Sequence, residues 1–204
     1  MFTGIIRTVS PVVKAEKKTL FAGRQGGSLF LTIQTPKGWR VRTGESIATD
    51  GVCLTVARVG KGRYTCELMT ETLQKTYFGV WMPTRVNLEK SLHLSDPLDG
   101  HLVLGHVDTI GRIKKIQKQP SGVLYTFSFP EEFARLVVPK GSIAVDGISL
   151  TVVDAARDWF SVSLVEYTLK HTAIRYKRTG EPVNLEFDII GKYLVRLYGT
   201  GGPK

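Results

Sequence analysis

The sequence predicts an all-β chain, two small closed barrels in tandem followed by a C-terminal α-helix. Three observations carry that prediction. Residues 46–56 read SIATDGVCLTV and residues 142–152 read SIAVDGISLTV, so eight of eleven positions recur at an offset of 96. Each copy is dominated by short alternating runs punctuated by Gly and Asp, the pattern of small antiparallel sheets. The last stretch alone changes period, because Ile189, Ile190, Tyr193, Leu194 and Leu197 fall at helical spacing.

The repetition extends beyond its strongest block. Thr72-Leu73 and Thr76 recur as Thr168-Leu169 and Thr172 at offset 96, and Val86-Asn87-Leu88-Glu89 recurs as Val183-Asn184-Leu185-Glu186 at offset 97. Residues 3–8 (TGIIRT) face residues 104–109 (LGHVDT) more weakly, at offset 101. Four blocks in one order mark a tandem duplication. Its boundary lies near residues 98–101, where Asp96-Pro97 and Asp99-Gly100 supply turn chemistry. The expected units are an N-terminal barrel over residues 1–100, a C-terminal barrel over 101–187, and a helix with its tail over 188–204.

Taken in chain order, residues 29–33 (LFLTI) alternate as a strand. Asp50-Gly51 between two extended runs signals a hairpin, since a type I′ turn needs positive φ at both central residues. Period-two alternation then sends Val52, Leu54 and Val56 inward and Cys53 and Thr55 outward. A short helix is expected over 70–75. In the second half, 123–129 and 160–164 read as strands, 131–137 and 168–171 as short helical stretches, and Asp146-Gly147 as the matching hairpin. Ile148, Leu150 and Val152 there oppose Ser149 and Thr151. Asp188 caps the terminal helix. The narrow apolar stripe of that helix must be covered, either by its own barrel or by the same helix of other subunits. Residues 199–204 are expected to fray.

The chain has 204 residues, 42% of them hydrophobic, with 28 Lys+Arg against 18 Asp+Glu. The positive excess is even: 14 basic and 8 acidic residues precede Gly100, and 14 basic and 10 acidic follow it. No basic tail or aromatic-interleaved basic motif is present, so solubility is the preferred reading and no nucleic-acid partner is expected. No charge-free stretch exceeds 12 residues, too short for a membrane-spanning helix, so no membrane partner is expected. The opening MFTGIIRTV lacks a basic region followed by an apolar one, which makes the cytoplasm the expected location. Two cysteines, Cys53 and Cys66, cannot build a disulfide scaffold.

The differences between the copies point to chemistry. Cys53 corresponds to Ser149 and Ile5 to His106, so a thiol site is paired with a hydroxyl site, and one of the two segments carries an imidazole. Drift after duplication gives such asymmetry too, and the Cys53/Thr55 and Ser149/Thr151 pairs also read as small residues tolerated in strands. His101, His106 and Asp108, with Asp96 and Asp99, are poorly spaced for metal, and no metal is expected. Glu71 fits a helix-start role as well as a catalytic one. Lys140 before Gly141 is a candidate to polarise a ligand oxygen or a solvated turn lysine. The glycines at 23–27 and 199–202 match no phosphate loop.

Met1-Phe2-Thr3-Gly4-Ile5-Ile6, the paired blocks at 50–56 and 146–152, Gly100-His101-Leu102 with Gly105-His106-Val107-Asp108, and Asp188-Ile189-Ile190-Gly191-Lys192-Tyr193 together resemble the riboflavin synthase family, trimeric α-chain type. The resemblance runs from Met1 to about Leu197. It implies two six-stranded Greek-key barrels and a C-terminal helix that gathers three chains into a homotrimer. It also implies a reaction, the last step of riboflavin biosynthesis. One 6,7-dimethyl-8-ribityllumazine donates four carbons to another, giving riboflavin and 5-amino-6-ribitylaminouracil. No metal or redox cofactor is implied, and an association with lumazine synthase is.

Carried over by position, the N-barrel pocket uses Gly4, Ile5, Ile6, Cys53, Leu54, Thr55, Glu67, Leu68, Met69, Thr70, Glu71 and Thr72. The C-barrel pocket uses Gly105, His106, Val107, Lys140, Ser149, Leu150, Thr151, Glu166, Tyr167, Thr168, Leu169, Lys170 and His171. Cys53, His106, Ser149 and Thr151 are expected nearest the chemistry, with Phe2 stacking on the ligand or closing the site. The chain departs from the family at Glu166-Tyr167, where a Pro is usual before Thr-Leu, and its last helix ends early, near Tyr198. Two rivals remain: a lumazine- or flavin-binding antenna protein of the same fold, and a nucleic-acid-binding barrel.

Overall fold

The computed structural model describes residues 1–19 and 27–198, with Thr19 described in its backbone alone; the expected frayed tail, 199–204, lies outside them. Six strands build the first barrel: β1 (Thr8–Thr19), β2 (Gly27–Gln34), β3 (Ser46–Thr49), β4 (Val52–Gly60), β5 (Arg63–Leu68) and β6 (Arg85–Lys90). The second repeats them as β7 (Thr109–Gln119), β8 (Gly122–Ser128), β9 (Ser142–Val145), β10 (Ile148–Ala155), β11 (Trp159–Leu164) and β12 (Pro182–Phe187). Around the first barrel the order is β1-β2-β5-β4-β3-β6, and the second follows the same cyclic order, every pair antiparallel. This is the Greek-key closure that leaves no free sheet edge.

The two hairpins form as their sequences require. Asp50 and Gly51 have φ of 43° and 78°, Asp146 and Gly147 of 47° and 76°, and the flanking pairs Thr49↔Val52 and Val145↔Ile148 close two-residue turns. Along β4 and β10 the alternation holds: Val52, Leu54, Val56, Ile148, Leu150 and Val152 are buried, while Thr55 and Thr151 are exposed. In both strands a bulge at the following residue bends the chain around the barrel. Short helices α1 (Thr70–Lys75) and α2 (Glu166–His171) follow β5 and β11, so the second starts two residues earlier than expected. The stretch expected as helical over 131–137 is a 3-10 segment, Glu131–Leu136, entered from the extended Pro130.

Helix α3 (Ile189–Tyr198) begins where Asp188 Oδ1 accepts the Ile190 amide at 3.0 Å. It buries none of its residues: Ile190, Tyr193, Leu194 and Leu197 are each 51–65% exposed. The described part of the chain's own barrel half-buries Ile189 but leaves the rest of the stripe largely exposed. No helix among the described residues is long and apolar enough to cross a membrane.

Between the barrels lies a polar seam with near-twofold symmetry. Gly51 and Gly147 stack so closely that a Cβ on either would sit 2.6–2.7 Å from the other's nitrogen. Asn87 Nδ2 donates to the Asp146 carbonyl at 3.0 Å and Asn184 Nδ2 to the Asp50 carbonyl at 2.9 Å. The same two side chains accept in return, from Ala173 N at 2.6 Å and Tyr77 N at 2.9 Å. Asp50 and Asp146 accept the Asn87 and Asn184 amides at 2.8 Å each. The symmetry breaks at the second carboxylate oxygens. Asp50 takes the Tyr77 hydroxyl, whereas Asp146 pairs with Lys177 Nζ at 2.6 Å. Lys177 is buried, donates to Pro182 O at 2.7 Å and lies over the Tyr77 ring at 4.3 Å.

One lysine among two buried aspartates leaves a carboxyl that resists ionisation. Burial, with the Asp146 charge second, pushes Asp50 up to about 7, and burial raises Asp146 as well. The folded chain thus holds a proton that the unfolded chain has released, so this seam loses stability as pH rises from about 4 to about 7. Asp50→Asn keeps the acceptor for the Asn87 amide and tolerates positive φ. The melting temperature of the variant should fall less than the wild type's between pH 5 and pH 8; an unchanged slope would exclude Asp50 as the group that holds the proton.

Candidate active site

The outward residues of β4 and β10 meet chain segments that belong to the opposite end of the duplication. Cys53 N donates to Gly105 O at 2.9 Å and Ser149 N donates to Gly4 O at 2.8 Å. Gly4 and Gly105 have φ of +77° and +78°, and a Cβ on either would lie 2.6 Å from the Cβ of Ser149 or Cys53 respectively. Only glycine allows that approach. Ile6 accordingly packs on the core of the second barrel and Val107 on that of the first.

This placement corrects the expected grouping of site residues. Gly4, Ile5 and Ile6 accompany Ser149, Leu150 and Thr151, not the N-barrel block; Gly105, His106 and Val107 accompany Cys53, Leu54 and Thr55. The physical reason is docking: each connecting segment leaves its own barrel and pairs with the first residues of the partner barrel's repeated strand. His106, which is exposed, thereby follows directly on the residue that abuts Cys53.

The site around Ser149 holds a residue that spacing alone did not single out. His101 Nδ1 lies 2.7 Å from Ser149 Oγ, and the His101 amide donates to Thr3 O at 3.1 Å. Gly100 makes room, since a Cβ there would strike Thr3 O at 2.0 Å. Burial pulls the imidazole below its ordinary range, partly offset by the Asp188 charge, so the ring is neutral near pH 7 and can accept the hydroxyl proton. The signal in the sequence was a His after a Gly at the repeat boundary, which has no counterpart in the first half.

The other expected residues lie on or just after β5 and β11 and at Lys140. Glu67 and Met69 are exposed on and just beyond the outward side of β5, the strand paired with β4. Leu68 is a core residue behind them. In α1, Thr70 Oγ1 donates to Gly27 O at 3.1 Å, Glu71 lies in the first turn, and Thr72 O accepts the Thr76 hydroxyl at 2.6 Å. In α2, Glu166 pairs with Lys170 at 2.6 Å, Tyr167 stacks on His171 at 4.1 Å, and Thr168 O accepts the Thr172 hydroxyl at 2.7 Å. Leu169 packs against the second core. Lys140 is exposed with φ of 68°, at the position that Gly44 fills in the first half with φ of 86°. A lysine in that backbone region stores strain, as functional sites often do.

Phe2 does not stack in an open site. Its ring is fully buried with Ala48, Val103 and Ala144 between the barrels, and its amide donates to Val103 O at 2.7 Å. Cys53 packs against the same cluster. Of the carboxylates near the histidines, Asp108 binds Lys192 at 2.7 Å and the Phe187 amide at 2.9 Å, and Asp96 accepts the His93 amide. Of the expected residues, only Thr70 lines either of the clefts of about 580 and 550 Å³. His106 and Thr151 are exposed and Cys53 and Ser149 half-buried, all four outside both clefts.

Gly105→Ala should destabilise the chain by at least about 2 kcal/mol, from left-handed strain plus the collision with Cys53. Gly38→Ala, equally left-handed but with nothing within 4 Å, should cost only about 1 kcal/mol. Urea denaturation of both reads the difference, and equal costs would contradict the close approach.

A family model described as the lumazine binding domain matches residues 3–91 and 104–188. The chain is 38% identical over 196 residues to the riboflavin synthase of Actinobacillus pleuropneumoniae, covering 95% of this chain and 88% of that one. It is 40% identical over 210 residues to the riboflavin synthase of Mycobacterium tuberculosis (strain ATCC 25618 / H37Rv), covering 99% and 100%. Among solved structures, LumP complexed with flavin mononucleotide superposes with a TM-score of 0.79 at 18% identity, covering 92% of this chain and 99% of that one, a likeness of fold.

Proposed function

We propose, since the chain belongs to the riboflavin synthase family and is built of two lumazine binding domains, that it is a transferase acting on 6,7-dimethyl-8-ribityllumazine. It moves a four-carbon unit from one molecule to a second, releasing riboflavin and 5-amino-6-ribitylaminouracil. The observation that carries this reading is the pair of symmetry-related but chemically different sites in a chain that matches its relatives along almost its whole length. A duplication that only bound ligand would have no use for the difference.

Each barrel binds one lumazine on the outward side of its repeated strand. At Ser149 the hydroxyl gives its proton to His101 Nδ1 as its oxygen adds at C7 of the donor ring, which primes that ring for attack and for later loss of its C7–N8 bond. At Cys53 the neighbouring His106 takes a proton from the 7-methyl of the acceptor. That C–H is acidic because its carbanion delocalises into the pteridine, so a modest base suffices. Thr55 and Thr151 offer hydroxyls to the developing charges. Holding two flat rings in register supplies much of the remaining acceleration.

The two rings react where the first barrel of one subunit faces the second barrel of another. The exposed apolar face of α3 supports a trimer, because the described residues leave Ile190, Tyr193, Leu194 and Leu197 more than half exposed.

Incubating the chain with 6,7-dimethyl-8-ribityllumazine alone should give the riboflavin absorbance with no added metal or nucleotide. Cys53→Ala, His106→Asn and His101→Asn should each lower kcat by about 10- to 1,000-fold while ligand affinity changes far less. Binding without conversion would leave an antenna protein, and no binding would remove both readings.

A further inference from the structure

We infer that Glu186 and Glu89 are positioning residues that work crosswise, each carboxylate standing in one barrel and fixing the backbone that completes the site on the other. The inference rests on the proposed sites around Cys53 and Ser149 and adds the groups that hold them. Glu186, in β12 opposite Ala144, is 3% exposed. Its Oε1 accepts the Leu104 amide at 2.7 Å, and its Oε2 accepts the amides of Gly105 at 2.9 Å and His106 at 3.0 Å. Three consecutive backbone N–H groups thus converge on one carboxylate. Glu89, in β6 opposite Ala48 and also 3% exposed, repeats the device. It accepts Thr3 N and Thr3 Oγ1 at 2.7 Å each and Gly4 N at 3.0 Å.

The clamps answer a need created by the left-handed glycines. Where the chain turns at Gly4 and Gly105, its amides cannot join a strand ladder, and buried amides without acceptors are costly. A carboxylate satisfies several at once with charge-assisted bonds. The carbonyls of the same glycines then receive the Ser149 and Cys53 amides. A continuous path therefore runs from Glu186, in the second barrel, through residues 104–106 to Cys53, in the first, and sets the backbone that carries His106. The other path runs from Glu89 through Thr3 and Gly4 to Ser149, and reaches His101 because the His101 amide donates to Thr3 O.

The charged neighbours differ. Lys192 and Asp108 act on Glu186, and Arg7 acts on Glu89, while burial pushes both carboxyls above their usual range. In the wild type, the amide protons of Leu104, Gly105 and His106 should shift together in one acidic titration followed by NMR, and those of Thr3 and Gly4 together in a separate one. Glu186→Gln keeps one acceptor oxygen and turns a donor toward the remaining amides. It should move the titration of the His106 ring and leave that of His101 in place, and Glu89→Gln should do the reverse. Each variant should lower kcat by about 10- to 100-fold with lumazine affinity within about 3-fold of wild type. A variant that shifts both rings, or neither, would overturn the crosswise assignment, as would amides that titrate independently in the wild type. The ring and amide titrations are read without substrate, so failure of the chain to make riboflavin would leave them standing and fall on the proposed function alone.

Discussion

Asn87 and Asn184 each give their side-chain amide to a hairpin carbonyl of the other barrel and take back an amide from beyond it. These four hydrogen bonds are buried, and each asparagine satisfies both a donor and an acceptor that the opposite barrel would otherwise leave unpaired. The reciprocity fixes one arrangement of the two barrels, because sliding either would orphan groups on both sides. The stacked glycines of the hairpin tips set how close the barrels come, and the asparagines set their register.

From that register the sites follow. Strands β4 and β10 leave the hairpins at the seam, so their first outward residues, Cys53 and Ser149, meet the connecting segments at once. Each segment is tied to one barrel by a buried glutamate and pressed on the other by a glycine carbonyl. Neither site is the property of a single barrel. Duplication then permits specialisation, since a change on one side, such as Ile5 against His106 or Tyr77 against Ala173, alters one site or half of the seam while the other keeps its contacts. The paired change of Trp81 to Lys177 shows the same freedom: the second half lacks a tyrosine hydroxyl for Asp146 and supplies an ammonium instead.

Much of this was legible in the sequence, and the boundary has a physical cause. The hairpins at Asp50-Gly51 and Asp146-Gly147, the inward and outward sides of β4 and β10, and the Asp188 cap all depend on neighbours a few residues away. Spacing reports such features directly. The pairing of Gly4 with Ser149 and of Gly105 with Cys53 depends on how two barrels dock, which no local period encodes. The repeated Val-Asn-Leu-Glu block made Asn87, Asn184, Glu89 and Glu186 visible as a repetition, yet their partners lie on the far side of the seam. His101 carried no repeat, and Phe2 read as a residue that stacks on the ligand or closes the site because its burial requires both barrels.

The central claim, that one reciprocal polar seam joins the barrels and so builds both sites, is tested most directly by a double-mutant cycle on Asn87→Ala and Asn184→Ala under urea. The account predicts a single cooperative transition in every protein, a loss of about 1–3 kcal/mol for each single variant, and a clear coupling between the two. Two separate transitions, with each substitution lowering only its own barrel and the losses adding, would contradict it.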